Sequence, residues 1–334
     1  MAARESTLCI ALLIGLLALG QQPTTPPDNA NSNASQATRD EGKSSGEPQI
    51  GENPSVARPD LDLTAGPDGK LSQDRMQQLF RVVAEKDIEN DKRQRDYTYI
   101  ERQVQHNPDS KGKIKSTEVK TYEVLEIYGE QVERLIEKDD KPLNAKEASK
   151  EEEKIQKIIE KHKNESEADR RKREEKELKQ REDDRKFVRE VADAFDFKLV
   201  GTEPVAGRSA WIIDAEPRPG YQPHTKEGKF LPKFHGRVWI DTSDLQLAKM
   251  DVECLDTVSW GVFLARFHKG SRFMLEQTRV NDEVWLPREL AVKVDVRLAL
   301  LKNFNVDLEQ TYRDYKKFRS SSKIVSMGEV QEPK

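Results

Sequence analysis

The groups in this 334-residue chain that could do chemistry are five histidines, two cysteines and a large stock of carboxylates. The histidines are His106, His162, His224, His235 and His268. None stands at metal-ligand spacing from another His or a Cys, and neither HExxH nor GxSxG occurs. Only His224 and His235 share a loop region. Cys254 falls on the apolar side of its segment with Met250 and Val252, the place of a small buried hydrophobe rather than a reactive thiol. The run from Asp60 to Leu71 has the acidic rhythm of a calcium loop. However, Ala65 stands where the turn needs Gly, and Leu71 where the bidentate Glu belongs. Gly69-Lys70 is followed by Leu71 and preceded by no strand, so it is not a phosphate loop. Carboxylates are plentiful, and nothing marks a catalytic pair. The sequence therefore predicts no enzyme, no catalytic residue, no metal and no cofactor.

The N-terminus predicts the compartment. Arg4 precedes an apolar run from Leu8 to Leu19, and Ala18-Leu19-Gly20 supplies small residues for a signal peptidase. About 12 apolar residues fall short of the roughly 20 that span a bilayer core. Residues 1–20 read as a signal peptide, giving a periplasmic or secreted protein. The alternative is an uncleaved signal that anchors the chain in the inner membrane. Cleavage near Gln21 leaves Cys254 as the one cysteine, so no internal disulfide can form and the core must hold the fold. The 57 basic and 61 acidic residues nearly cancel, which argues against nucleic acid as a partner.

Residues 21–71 are rich in Pro, Asn, Ser, Thr and Gly and poor in core-forming types, so they read as a disordered linker. Ser72 then caps a helix whose Met76, Leu79, Phe80, Val83 and Ile88 form one apolar face. Two stretches of alternating sequence follow, Tyr97–Gln105 and Lys115–Ile127, separated by the turn at Asn107–Gly112. Gly129-Glu130 turns the chain again before Val132–Glu137. A highly charged insertion, 144–194, interrupts the strands. Ile155, Ile158 and Ile159 share a helical face in its first half, and Ser166 with Asp169 starts a second helix. Its spacing carries no heptads, so a coiled coil is disfavoured.

Strand signals resume at Phe197–Glu203 and Ser209–Glu216, with Val205-Ala206-Gly207 near the turn. After a Pro/Gly loop comes the hairpin Phe234–Glu253, then further strands to Leu308. The domain is expected over 72–318, with a flexible tail at 319–334. Connections short everywhere except the insertion imply an antiparallel sheet. About ten strands in one sheet must curl or close. The predicted fold class is α+β: a large antiparallel sheet curled into an incomplete β-barrel, with an N-terminal helix and the helical insertion as lid.

The alternation places Val238, Ile240, Met250, Val252, Phe273, Leu275, Val292, Val294, Phe304 and Val306 on one inner face, while Trp239 and Asp241 face the other, wetter side. That inner face is either a filled core or the wall of a cavity for an apolar ligand. Ile155, Ile158 and Ile159 are the candidate lid residues.

The export signal, the helix Ser72–Asn90, and Gly236-Arg237-Val238-Trp239-Ile240-Asp241 with its following strand resemble the LolA/LolB-type half-barrel superfamily of periplasmic lipoprotein carriers. Phe273–Gln277 and Val284-Trp285-Leu286-Pro287 add to the resemblance, which covers about Gln73 to Phe318. It implies a bacterial envelope protein whose barrel holds an acyl chain, lipid or lipoprotein, as carrier or sensor. The insertion is longer and more charged than a lid requires. The alternative is thus a protein-protein interaction or structural envelope protein, with a filled barrel and an envelope protein partner met through the charged helices. The family's lid-locking arginine has no counterpart that can be placed here.

Overall fold

The computed structural model describes residues 71–108, 113–260, 265–298 and 302–318, but not the side chains of 259–266 and 295–305. The signal peptide, most of the linker including Asp60–Lys70, the tail and the Phe304 side chain therefore lie outside the described residues.

Helix α1, Gln73–Gln94, begins at Ser72, whose hydroxyl accepts the Arg75 N–H at 3.4 Å. It runs one turn beyond the expected Asn90. Asn90 Nδ2 and Gln94 Nε2 both donate to the Trp285 carbonyl at 2.8 Å, tying that last turn to the sheet. A meander follows: β1 Tyr97–Pro108, β2 Ile114–Ile127, β3 Glu130–Lys138 and β4 Lys141–Pro142. Then come α2, Ala145–Lys163, and α3, Glu167–Ala194, each opened by the side chain of its cap, Asn144 and Ser166. The remaining strands are β5 Phe195–Val205, β6 Arg208–Pro217, β7 Phe234–Asp241, β8 Leu247–Cys254, β9 Val258–Trp260, β10 Ala265–Phe267, β11 Arg272–Val280, β12 Val284–Leu298 and β13 Lys302–Lys317. A 3-10 helix, Gly228–Lys233, precedes β7.

The sheet runs β4-β3-β2-β1-β13-β12-β11-β8-β7-β6-β5, with β10 paired to β12 and β9 to β10, and every pairing is antiparallel. Among the described residues β4 and β5 stay unpaired to each other, so the sheet is an open, incomplete barrel. The strand total exceeds the sequence expectation because the two- and three-residue strands β4 and β9 are too short to show periodicity, whereas β10 falls within the expected strand at Val262–Phe267. The β5–β6 hairpin turns on Ala206 and Gly207, both at positive φ (47° and 79°), the mirror-image turn that matches strand twist.

Register fixes the inner face. Val238 opposes Met250, Met250 opposes Leu275, and Leu275 opposes Leu290. The next row runs Gly236, Val252, Phe273, Val292 and Leu308, and Val294 opposes Val306 beyond it. Directly opposed residues in an antiparallel pair share a face, so these side chains form one apolar wall. Cys254 sits fully buried at its end, with its thiol on the Asp256 carbonyl at 2.8 Å.

Two sequence expectations change here. Trp239 and Asp241 do face away from the inner wall, yet neither is wet: they are 7% and 1% exposed. Trp239 packs with Val205, Ala210, Ala248 and Trp285 in a cluster of its own, and Arg208 holds Asp241 through two hydrogen bonds of 2.8 and 3.0 Å. Alternation reveals which face a side chain takes, but not whether a second layer covers that face.

The second change concerns Ile155, Ile158 and Ile159. They pack with Leu125, Ile127 and Val132, and alternation along β2 puts Leu125 and Ile127 opposite the inward-facing Val124. Helix α2 thus lies along β3 rather than over the barrel mouth. Glu151 accepts the Leu135 N–H and Lys154 donates to the Glu133 carbonyl, which satisfies backbone groups of a strand near the sheet edge.

Candidate functional site

The helical layer over the inner face is α1 with the last two turns of α3. Phe80, Val83 and Ala84 project from α1 at the three- and four-residue spacing of one helix face. Val188, Val191 and Ala192 come from α3. These pack against Phe195 and Phe197 of β5, Ala215 of β6 and Ile240 of β7, and the Phe80 and Phe197 rings stack with centroids 3.6 Å apart. Most of the concave wall is filled in this way. Phe273, Leu275, Val292 and Val294 belong to a packed cluster with Tyr99, Val124, Leu290 and Tyr312, with Val306 against it.

Between the helical layer and β5–β8 a partly open cavity of about 120 Å³ remains. Of the ten sequence candidates, Val238, Ile240, Met250 and Val252 line it. Phe273, Leu275, Val292, Val294 and Val306 are not among its lining residues. The other walls come from α1, α3, Phe195, Phe197, Ala215, Leu231, Phe234 and Leu247. Gly236 is part of the floor, packed so closely on β8 that a Cβ there would come within 2.6 Å of the Asp251 carbonyl oxygen.

Two titratable residues reach this apolar lining, Asp87 and His235. His235 Nδ1 is 3.4 Å from the Glu216 carboxylate on β6. Asp87 stands three, four and seven residues after Ala84, Val83 and Phe80, on the same helix face. Burial, and secondarily the charge of Asp91 one turn on, push its carboxyl up to about 7. Asp91 has its own partner in Arg95.

Glu190 of α3 anchors the loop that precedes the 3-10 helix. It is 4% exposed and accepts from the Tyr221 hydroxyl, the His224 N–H, and the N–H and hydroxyl of Thr225. Burial alone would raise its pKa. Its hydrogen bonds to Thr225, Tyr221 and His224 together outweigh that and hold the carboxyl below the usual range. The loop it grips leads into the 3-10 helix that delivers Leu231 to the cavity.

Elsewhere on the inner face Glu101 is 1% exposed and accepts from Gln103 and Gln310 Nε2, both at 2.5 Å. Burial nonetheless pushes it up to about 7, with Glu133 adding to the shift.

Sequence reading missed Asp87 and Glu190 for different reasons. A carboxylate inside the apolar stripe of α1 was visible as a break in the pattern. Glu190 sits in a run of charges, where nothing local separates it from its exposed neighbours.

The architecture is thus an open antiparallel half-barrel with a helical layer over one end of its concave face. No protein-family model and no curated protein sequence matches the chain. Solved structures similar to it include an outer membrane lipoprotein-sorting protein domain from Vibrio parahaemolyticus, at 11% identity over 72% of this chain and 95% of that one, with a TM-score of 0.28. A LolA superfamily protein from Nitrosomonas europaea is 9% identical over 75% and 96% of the two chains, with a TM-score of 0.27. A chain of the Pseudomonas aeruginosa MucA/MucB complex is 10% identical over 73% and 99%, with a TM-score of 0.20. No described helix is long and apolar enough to cross a membrane.

Proposed function

We propose that this chain is a non-catalytic binding protein of the bacterial envelope, whose cavity receives the apolar end of an acyl chain, lipid or lipoprotein. The observation that carries this reading is the unfilled, almost wholly apolar cavity between a helical layer and the sheet. A packed domain core leaves few voids larger than a water molecule, so unfilled space of this kind favours a ligand over a packing defect. An apolar cavity of about 150 Å³ accepts benzene, so one of about 120 Å³ takes a few carbons as it stands. A longer chain requires α1 and the end of α3 to lift from β5–β7, which would break the Phe80–Phe197 stack.

Native mass spectrometry of protein purified from an envelope fraction should detect bound lipid. Titration with alkanols and fatty acids of increasing length should shift the methyl resonances of Val238 and Met250, and in Val238→Trp, which fills the space, the Met250 shift should disappear. No uptake at any chain length would overturn the reading.

One observation favours a second reading, a protein partner met through the insertion. From Glu167 to Lys186 the ion pairs of α3 are mostly local; Arg173 reaches the sheet at Glu130, and Leu178 stays 64% exposed. Shortening this segment should leave cavity binding intact while removing capture of an envelope partner.

A further inference from the structure

Asp87 has no evident structural task. On the apolar face of α1 it replaces a hydrophobe, at a position where the helix packs on the sheet. An ionised carboxylate in such a place is costly unless a cation or a set of donors meets it. Among the described residues no hydrogen bond and no ion pair reaches it. The contrast with Asp91, Glu190 and Asp241 is direct, because each of those buried carboxylates has its partners within the protein. Asp87 lines the cavity and keeps part of its surface accessible there. Its missing partner is therefore to be sought in the cavity.

The surroundings indicate what charge that partner carries. The lining supplied by α3, β5, β6 and β8 bears no charged group, and among the described residues no Lys or Arg lines the cavity. His235 on β7 is already beside Glu216, and the charge that acts on Asp87 from α1 is the negative Asp91. Four phenylalanines, Phe80, Phe195, Phe197 and Phe234, contribute to the walls, and aromatic faces attract cations. A carboxyl with no cation committed to it, set among phenyl rings, favours a cation. The space favours one on a stem of only a few carbons.

We propose that the cavity selects ligands carrying an ammonium group on a short alkyl stem, with Asp87 as the anionic partner. This rests on the reading of the cavity as a binding site and names the polar group its ligand brings. A free alkylamine, a polyamine and a lysine side chain of a partner protein all present this chemistry. Binding depends on pH in a defined direction. The ammonium stays charged up to about pH 10, so affinity rises with the carboxylate fraction of Asp87. Burial pushes Asp87 up to about 7, so affinity should climb between pH 5.5 and 8, by at most about tenfold per unit below that value.

The test is calorimetric and NMR titration of the full chain with hexylamine, hexanol and hexanoate at pH 5.5 and pH 8. At pH 8 hexylamine should bind at least about tenfold more tightly than hexanol, and hexanoate should bind most weakly. Asp87→Asn and Asp87→Leu should bring amine and alcohol level while retaining alcohol binding. Equal binding of hexylamine and hexanol by the wild-type protein at pH 8, or a preference that survives in a folded Asp87 variant, would overturn the proposal and leave the apolar site standing. Failure of all three ligands to bind would remove the binding site itself. Should neither variant fold, the wild-type pH profile decides: a preference for amine unchanged between pH 5.5 and 8 refutes the assignment. Parallel titrations with cadaverine and with N-acetyl-lysine methylamide separate a free polyamine from a protein lysine.

Discussion

Replacing Glu190 by Ala should loosen the loop that leads into the 3-10 helix and, with it, the Leu231 wall of the cavity. Its carboxylate accepts from the Tyr221 hydroxyl, two backbone N–H groups and the Thr225 hydroxyl, and it is 4% exposed. Hydrogen bonds to a charged acceptor are worth about 1.5–3 kcal/mol each, but they do not add when they share one acceptor. Removing the carboxylate leaves those donors unpaired, and a buried donor without a partner costs about 1–3 kcal/mol, so a total loss of about 2–5 kcal/mol is expected here. It would be read as a lower urea midpoint at unchanged slope.

The geometry adds a sharper control. A Cβ on Gly228 would collide with the Glu190 carboxylate. Gly228→Ala should therefore cost about 1–3 kcal/mol in the wild-type chain and much less when Glu190 is already Ala. Hydrogen exchange should show His224 and Thr225 amides losing protection first. Additivity of the two substitutions within about 0.5 kcal/mol would refute the reasoning, because it would mean that the two positions do not meet. A loss below about 1 kcal/mol for Glu190→Ala would do so equally.

Gly236→Ala places a Cβ against the Asp251 carbonyl across the β7–β8 pair, so it should cost about 1–3 kcal/mol, measurable as a lower Tm. Ile155→Ala should cost about 2–4 kcal/mol by opening the α2–β3 contact, whereas Leu178→Ala should stay within about 0.5 kcal/mol because its side chain is exposed. Stability should also show an optimum in pH, measured by chemical denaturation across the range. Asp87 and Glu101 have folded pKa values raised to about 7, so the folded state holds protons that the unfolded chain releases, and stability falls as pH rises from about 4 to 7. Glu190 and Asp241 have depressed values, so their contribution is present above the ordinary carboxylate range and is lost as pH falls below about 4. The maximum should lie between about pH 4 and 6, and in Asp87→Asn the decline toward pH 7 should become shallower.

The sequence by itself determined most of the elements and the inward face of the long strands. Ser72, Asn144 and Ser166 mark where helices begin because a side-chain oxygen there meets an otherwise unpaired N–H. The alternation through Val238, Met250, Leu275 and Val292 required one shared apolar wall, because neighbouring side chains on a strand point to opposite faces. Those are local facts, and local periodicity carries them.

Tertiary structure decided what covers each face. Trp239 is buried on the side that alternation left wet, because Trp285, far along the chain, packs against it. The isoleucines of α2 satisfy β3 rather than closing the barrel, since an amphipathic helix pairs with whichever apolar strip the topology brings beside it. Which part of the wall stays unfilled was settled by how α1 and α3 pack over β5–β8. That same packing set Asp87, one acidic residue among many in the sequence, as a lone carboxyl in an apolar cavity.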